Sequence, residues 1–154
     1  MTPRVQEIHA AFQETGITIE ISEDIQKVLW TKFVFISAIS SIGSLTRLPI
    51  GEYRDIPETR EMMIRLMKEI ESVARAQEVG LDHDIVEQSL DFIDHAAEHI
   101  RASMQLDVET GRQTEIESMV GVIGRKGRQF GIPTPTADLI YAALLPVDLK
   151  VRKN

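Results

Sequence analysis

Between Lys27 and Arg47 the chain carries a single ionisable residue, Lys32, set in the run "VLWTKFVFISAISSIGSL". A helix apolar on nearly every side cannot lie on a surface as an ordinary amphipathic element; other elements must surround it. Lys32 and four serines in the run argue for the core of a helical bundle rather than a membrane span. The pattern predicts this buried helix from about Glu23 to Ser41, and the remaining chain has to supply helices that wrap it.

The remaining chain has that character. After a turn region, "GSLTRLPIGEYRDIP", a long amphipathic helix is predicted from about Pro57 to Glu78. It places Met62, Met63, Leu66, Ile70 and Val73 on one face, with Gly80 as its stop. A second, from about Asp84 to Ile100, turns Ile85, Leu90, Ile93 and Ala97 inward. Two more follow, from about Glu115 to Phe130 and from about Pro135 to Leu144.

The first 23 residues do not fit this scheme. "TPRVQEIHAAFQETG" reads as a helix with Val5, Ile8 and Phe12 at helical spacing, Pro3 in the first turn and Gly16 at the stop. "ITIEI" then alternates apolar Ile17, Ile19 and Ile21 with polar Thr18 and Glu20, the pattern of a half-buried strand. A lone strand leaves backbone groups unpaired and needs a sheet to join. Residues 1–23 therefore read as the trailing edge of something larger, and 24–154 as a separate helical domain. The class is mainly α with one orphan strand.

Composition narrows the function. At 154 residues, 43% hydrophobic and 27% charged, the chain is long enough for one domain with a real core. A net charge of -7 argues against a general nucleic-acid binder, though not against a local anion site. With no cysteine, disulfides, thiolate catalysis and cysteine-ligated zinc are excluded. "MTPRVQEIHAAF" has no basic-then-apolar signal segment, and a cytoplasmic location is expected.

Few residues point to chemistry. Lys32, among Leu29, Trp30, Phe33, Val34, Phe35 and Ile36, either snorkels to the surface along its stem or is a partly desolvated general acid. Thr114 and Glu117 have capping-box spacing, with Thr114 as N-cap. Ile116, Met119, Val120 and Ile123 would then point inward, leaving Glu115 at the margin of that stripe. Glu115 is either a surface acid complementing the helix dipole or a carboxylate at the lip of a pocket, near Ser103 or Arg112. "HAAEH" sets His95 and His99 at i and i+4, but a metal site needs a third convergent ligand, and none is predicted. There is no Gly-rich phosphate loop anywhere in the chain.

Four stretches in order carry a family likeness: "DIQKVLWTKFVFISAISSIGSLTRLPIG", "EIESVARAQEVGL", "SMQLDVETGRQTEIESMVGVI" and "GIPTPTADLIYAALL". Together they resemble the C-terminal domain of 2-dehydropantoate 2-reductases (ketopantoate reductases), from Asp24 to about Leu145. The resemblance implies an all-helical bundle like the 6-phosphogluconate dehydrogenase C-terminal domain. It also makes "QETGITIEISEDI" look like the last helix and strand of an otherwise absent Rossmann domain. Members of this family reduce 2-dehydropantoate to pantoate with NADPH, on the route to pantothenate.

By the same resemblance, Lys32 is the catalytic lysine that protonates the ketone oxygen, and Ser103 contacts the carboxylate side of the substrate. Glu115 binds a substrate hydroxyl or the cofactor, and Ser40 is a further substrate contact. NADP would be held mainly by the absent Rossmann domain, so the chain alone is expected to be inactive. A homodimer is expected, with no nucleic-acid or membrane partner. The family often places asparagines one and two turns after the lysine; Ile36 and Ser40 stand there instead, which opens the substrate to another 2-keto acid. A reading from a different class is a non-catalytic helical module that self-associates through its bared apolar face.

Overall fold

The computed structural model describes residues 2–152. Met1, Lys153 and Asn154, at the ends of the two expected segments, lie outside the described residues. Eight α-helices run in the order α1 (Pro3–Gln13), α2 (Ile25–Thr46), α3 (Ile50–Tyr53), α4 (Pro57–Ala76), α5 (Ile85–Asp94), α6 (Ser103–Thr110), α7 (Val122–Phe130) and α8 (Pro135–Arg152), among the described residues. One π-helical turn, Glu117–Gly121, leads directly into α7.

The apolar run forms the hub, as its pattern requires. Asp24 caps α2 by accepting a hydrogen bond from the Lys27 N–H at 2.9 Å. The helix continues a turn beyond its expected end, to Thr46, and stops where Arg47 takes a left-handed conformation with φ 59°. α4, α5 and α6 all pack against it. The core joins Val34, Ala38 and Ile42 of α2 to Met63, Leu66, Met67, Ile70 and Val73 of α4, with Ile116, Val120, Ile123, Ile140 and Leu144 closing the far side.

Burial is confined to the second half of α2, from Val34 onward. In the first half Ile25, Val28 and Leu29 are 54%, 50% and 55% exposed, and Lys32 is exposed beside them. The expectation of a helix buried along its length is therefore corrected: Trp30 and Phe33 pack against the core, but the opposite face of the first half of α2 stays uncovered. By length and composition α2 could cross a membrane, but half of its most apolar window is buried inside the bundle.

The expected strand is also corrected. No strand forms among the described residues, and residues 17–22 have no regular secondary structure. The physical reason is the one that made the strand odd in sequence: there is no neighbouring strand to pair with. The recorded link between this segment and α1 is His9 Nε2 against the Ile19 carbonyl at 3.2 Å. α1 buries no residue, and its apolar face of Val5, Ile8 and Phe12 is open.

Three helix ends differ from expectation. α4 stops at Ala76, and the left-handed residue after it is Glu78, φ 61°, rather than Gly80. α5 stops at Asp94 because the residues beyond it are drawn to α3. The Glu98 and Ile100 carbonyls accept from the Gly51 and Ile50 N–H groups at 3.0 Å each, and Arg54 donates to the Ala96 carbonyl at 2.7 Å. His95 is thus a C-cap and His99 lies off the helix, so the i, i+4 histidine face does not form. α8 passes through Pro146 and ends eight residues beyond Leu144, held there by a buried contact from Asp148.

Candidate active-site wall

The stretch from Ser103 to Gly121 is built to hold a short loop rigid. Ser103 opens α6 with its side chain exposed, while Met104 and Gln105 beside it are fully buried. Gly111 ends α6 at φ 67°, a conformation that suits glycine. Across that turn the Arg112 N–H donates to the Asp107 carbonyl at 2.8 Å, and its Nε donates to Asp107 Oδ1 at 2.7 Å. The Asp-x-x-x-Gly-Arg spacing is therefore a staple.

Thr114 does not cap the next helix through a capping box. Its N–H and its hydroxyl both donate to Asp148 Oδ1, each at 2.8 Å. Its Oγ1 meets the Ile116 N–H only at 3.4 Å, and Glu117 does not reach back to it. Asp148 comes from α8, is 1% exposed, and takes a further hydrogen bond at Oδ2 from Arg152 Nε at 2.5 Å. Burial pushes its carboxyl upward, but the hydrogen bonds from Thr114 and Arg152 outweigh it and hold the group below the usual carboxylate range.

Downstream, the π turn is locked as well. The Tyr141 hydroxyl donates to Glu117 Oε1, and Arg125 donates to Glu117 Oε2 at 2.7 Å and to its carbonyl at 2.8 Å. The bonds from Tyr141 and Arg125 lower the Glu117 carboxyl, and the same Glu117 contact raises the Tyr141 phenol. Gly121 lets these side chains close over the turn. A Cβ there would lie 2.8 Å from the Tyr141 ring and 3.0 Å from Glu117 Oε2.

Between these anchors sits Glu115. Its carbonyl takes the Ser118 and Met119 N–H groups, but its carboxylate is exposed and has no recorded partner. Lys32 likewise stands exposed with no recorded hydrogen bond or ion pair, so it has no need to snorkel out of a core. Ser40 differs: it is 1% exposed, and its hydroxyl has no hydrogen-bond partner. α6 and the π turn both pack on α2, and no hydrogen bond joins any two of Lys32, Ser40, Ser103 and Glu115. A hollow of about 340 Å³ borders the first half of α2, lined by Leu29, Trp30 and Phe33 with Ser118, Val122 and Lys126. A larger hollow of about 680 Å³ lies between α4 and the start of α8, and none of the four residues lines either hollow.

The sequence reading missed Asp148, Tyr141 and the true partners of Glu117. Nothing local marks Asp148, which meets Thr114 from 34 residues away. No group of three His, Cys, Asp or Glu residues suited to a metal ion occurs among the described residues.

Three comparisons with known proteins bear on this arrangement. The 2-dehydropantoate 2-reductase of Aquifex aeolicus (strain VF5) is 31% identical over 134 residues, 84% of this chain and 43% of the relative. The dimeric ketopantoate reductase of Staphylococcus aureus superposes with a TM-score of 0.90 at 23% identity, over 98% of this chain and 53% of that one. The ternary structure of D-mandelate dehydrogenase with NADH and anilino(oxo)acetate superposes with a TM-score of 0.86 at 19% identity, over 97% and 49%. These last two likenesses show the fold. The chain spans about half the length of the curated relatives it matches. The family profile described as "Ketopantoate reductase PanE/ApbA C terminal" matches residues 24–148, across the core helix, the Glu115 loop and the Asp148 anchor, and the chain belongs to that family.

Proposed function

We propose that this chain is the substrate-side, helical half of an NADPH-dependent 2-dehydropantoate 2-reductase, converting 2-dehydropantoate to pantoate when joined to a Rossmann domain. The observation that carries the reading is Lys32, an unpaired ammonium on the uncovered apolar face of Ile25, Val28 and Leu29. Docking a second domain on that face would exclude water around the lysine and strengthen its interaction with a ketone oxygen. Residues 1–23 are the tail of that domain.

The chain has no phosphate-cradling loop, so the cofactor is held mainly by the Rossmann domain, with the free carboxylate of Glu115 as this chain's contact to a hydroxyl. Bound NADPH supplies the hydride that adds to the keto carbon. Lys32 Nζ gives its proton to the ketone oxygen as that carbon is reduced, and regains one from solvent. The Ser103 hydroxyl donates to the substrate carboxylate, and Glu115 accepts from the substrate hydroxyl. Two copies associate into a homodimer.

A second reading keeps this chemistry and changes the keto acid. Ile36 stands where the family often has an asparagine, and it offers the substrate no hydrogen bond. A solved structure of similar fold, D-mandelate dehydrogenase, is named with the 2-oxo acid derivative anilino(oxo)acetate, which supports keeping another 2-oxo acid open as the substrate.

The test is NADPH oxidation, followed by absorbance, in a protein joining this chain to its Rossmann domain. It is run with 2-dehydropantoate beside a panel of other 2-keto acids. The highest kcat/KM on 2-dehydropantoate supports the first reading, and a higher value on another acid supports the second. No turnover on any of them leaves the self-association module as the function. Titration of the isolated chain with NADPH should show no tight saturable binding.

A further inference from the structure

The loop between α6 and the π turn holds the side chains on both sides of Glu115, Thr114 and Ile116, while the Glu115 carboxylate itself is free. Arg112 is stapled to Asp107, Thr114 is bonded twice to Asp148, Ile116 is 1% exposed in the core, and Glu117 is held by Tyr141 and Arg125. The Thr114 bonds are the ones next to Glu115 in the chain. They are also the only ones in this set supplied by a fully buried acid.

A buried carboxylate is costly to retain unless it is fully hydrogen-bonded, and an apolar residue in its place would often serve stability as well. Asp148 meets that condition: one oxygen takes two donors from Thr114, and the other takes Arg152. The bidentate hold on Thr114 restrains both its backbone and its χ1 rotamer. That sets the direction in which the next peptide, and so the Glu115 side chain, leaves the loop.

We propose that Asp148 is a positioning residue that acts through Thr114 to aim the Glu115 carboxylate into the reaction cleft. This rests on the reading of Glu115 as a substrate or cofactor contact. α8 thereby reports to the active-site wall although none of its residues touches the reacting atoms. Arg152 completes the device by keeping Asp148 ionised and turned toward Thr114. The continuation of α8 past Pro146 is what brings both residues within reach.

The test is a double-mutant cycle in the two-domain protein, pairing Asp148→Asn with Glu115→Gln. Asparagine keeps an acceptor but sets an N–H2 group against either Arg152 or Thr114, so the loop should turn. Asp148→Asn alone is expected to lower kcat/KM on the order of 10-fold, as displacement of a positioned contact does. In the Glu115→Gln background the same change should cost less than about 2-fold, because coupled residues are non-additive.

Equal losses in both backgrounds would mean that Asp148 serves stability alone, and the proposal fails while the role of Glu115 stands. A silent Glu115→Gln overturns the role of Glu115 and this proposal with it. Thr114→Val, which removes one of the two bonds and keeps the volume, repeats the cycle should Asp148→Asn fold poorly; Thr114→Ser should recover most of the loss. A readout independent of activity is amide exchange in this chain, where Asp148→Asn should speed exchange at Thr114 by about 10-fold or more, as a lost native hydrogen bond does. Unchanged exchange there would show that Asp148 does not hold the loop.

Discussion

Gln105 of α6 lies across Gly43 of α2 so closely that no side chain fits between them. A Cβ on Gly43 would stand 3.1 Å from Gln105 Cδ and 3.6 Å from the Tyr53 hydroxyl, and nearer still to Gln105 Oε1. Gln105 cannot swing aside freely, because its amide donates to the Leu48 carbonyl at 3.0 Å and to Glu109 Oε1 at 2.8 Å. This contact sets how deeply α6, and with it Ser103, sits on the hub helix.

Gly43→Ala should therefore destabilise the bundle. Alanine gains about 1 kcal/mol of helix propensity over glycine. Overpacking against a fixed neighbour costs about 1–3 kcal/mol. The net expectation is a loss of about 1 kcal/mol, a fall of roughly 2–4 °C in Tm for a domain of this size. Thermal unfolding checks it, and Gly43→Ala combined with Gln105→Ala should recover the helix-propensity gain. A single mutant as stable as the parent would show that Gln105 yields.

Tyr53 gives the chain an alkaline limit. It is 2% exposed, its hydroxyl reaches the Ile39 carbonyl at 3.3 Å, and burial pushes its phenol up to about 12. A group whose pKa is higher folded than unfolded contributes stability below the unfolded value and loses it on the way up to the folded one. The loss should fall between about pH 10, the ordinary tyrosine value, and the folded value, and amount to about 2–3 kcal/mol. Denaturant unfolding across that window should show this slope, and Tyr53→Phe should remove most of it. The Tyr141 phenol is also raised, by its hydrogen bond to Glu117, so part of the slope survives in that variant.

Much of the fold was legible because apolar periodicity reports burial. The apolar run of α2 and the stripe on α4 marked those helices, and Ile116, Val120 and Ile123 were correctly turned inward. Long-range polar contacts leave no such trace. The end of α5 is set by Arg54, Gly51 and Ile50 taking carbonyls from residues 93–100, and local propensity favoured a longer helix. The capping-box spacing of Thr114 and Glu117 was real as a pattern, but Asp148 and Arg125 outcompeted it with charged partners. The first half of α2 misled in another way: Ile25, Val28 and Leu29 are as apolar as the buried half but stand exposed, so apolar content alone did not report burial there.

That uncovered surface predicts self-association of the isolated chain. Val5, Ile8 and Phe12 of α1 and Ile25, Val28 and Leu29 of α2 are each between 39% and 55% exposed. Apolar patches of this kind are normally covered. Sedimentation should show a concentration-dependent dimer or larger species, and Leu29→Glu with Ile8→Glu should shift it toward monomer. A clean monomer at high concentration would count against the face being sticky.

Lys32 carries the most specific prediction, because Lys27 supplies an internal control on the same helix. Lys27 is five residues earlier and paired to Asp82 at 2.6 Å, with side chains 37% and 45% exposed. A surface pair of that kind contributes at most about 1 kcal/mol to stability. Lys27→Ala should accordingly leave turnover in the two-domain protein nearly unchanged. Lys32 has no recorded partner, so removing it costs the fold little and whatever it does for the reaction is exposed cleanly. If its ammonium protonates the ketone oxygen, Lys32→Ala should lower kcat on the order of 100-fold or more, the scale of lost general acid catalysis. KM should rise as well, since the same ammonium polarises the carbonyl in the bound ground state. Thermal unfolding of both variants should stay close to the parent. Equal effects of the two substitutions on kcat, or a Lys32→Ala protein that turns over normally, would remove Lys32 from the mechanism.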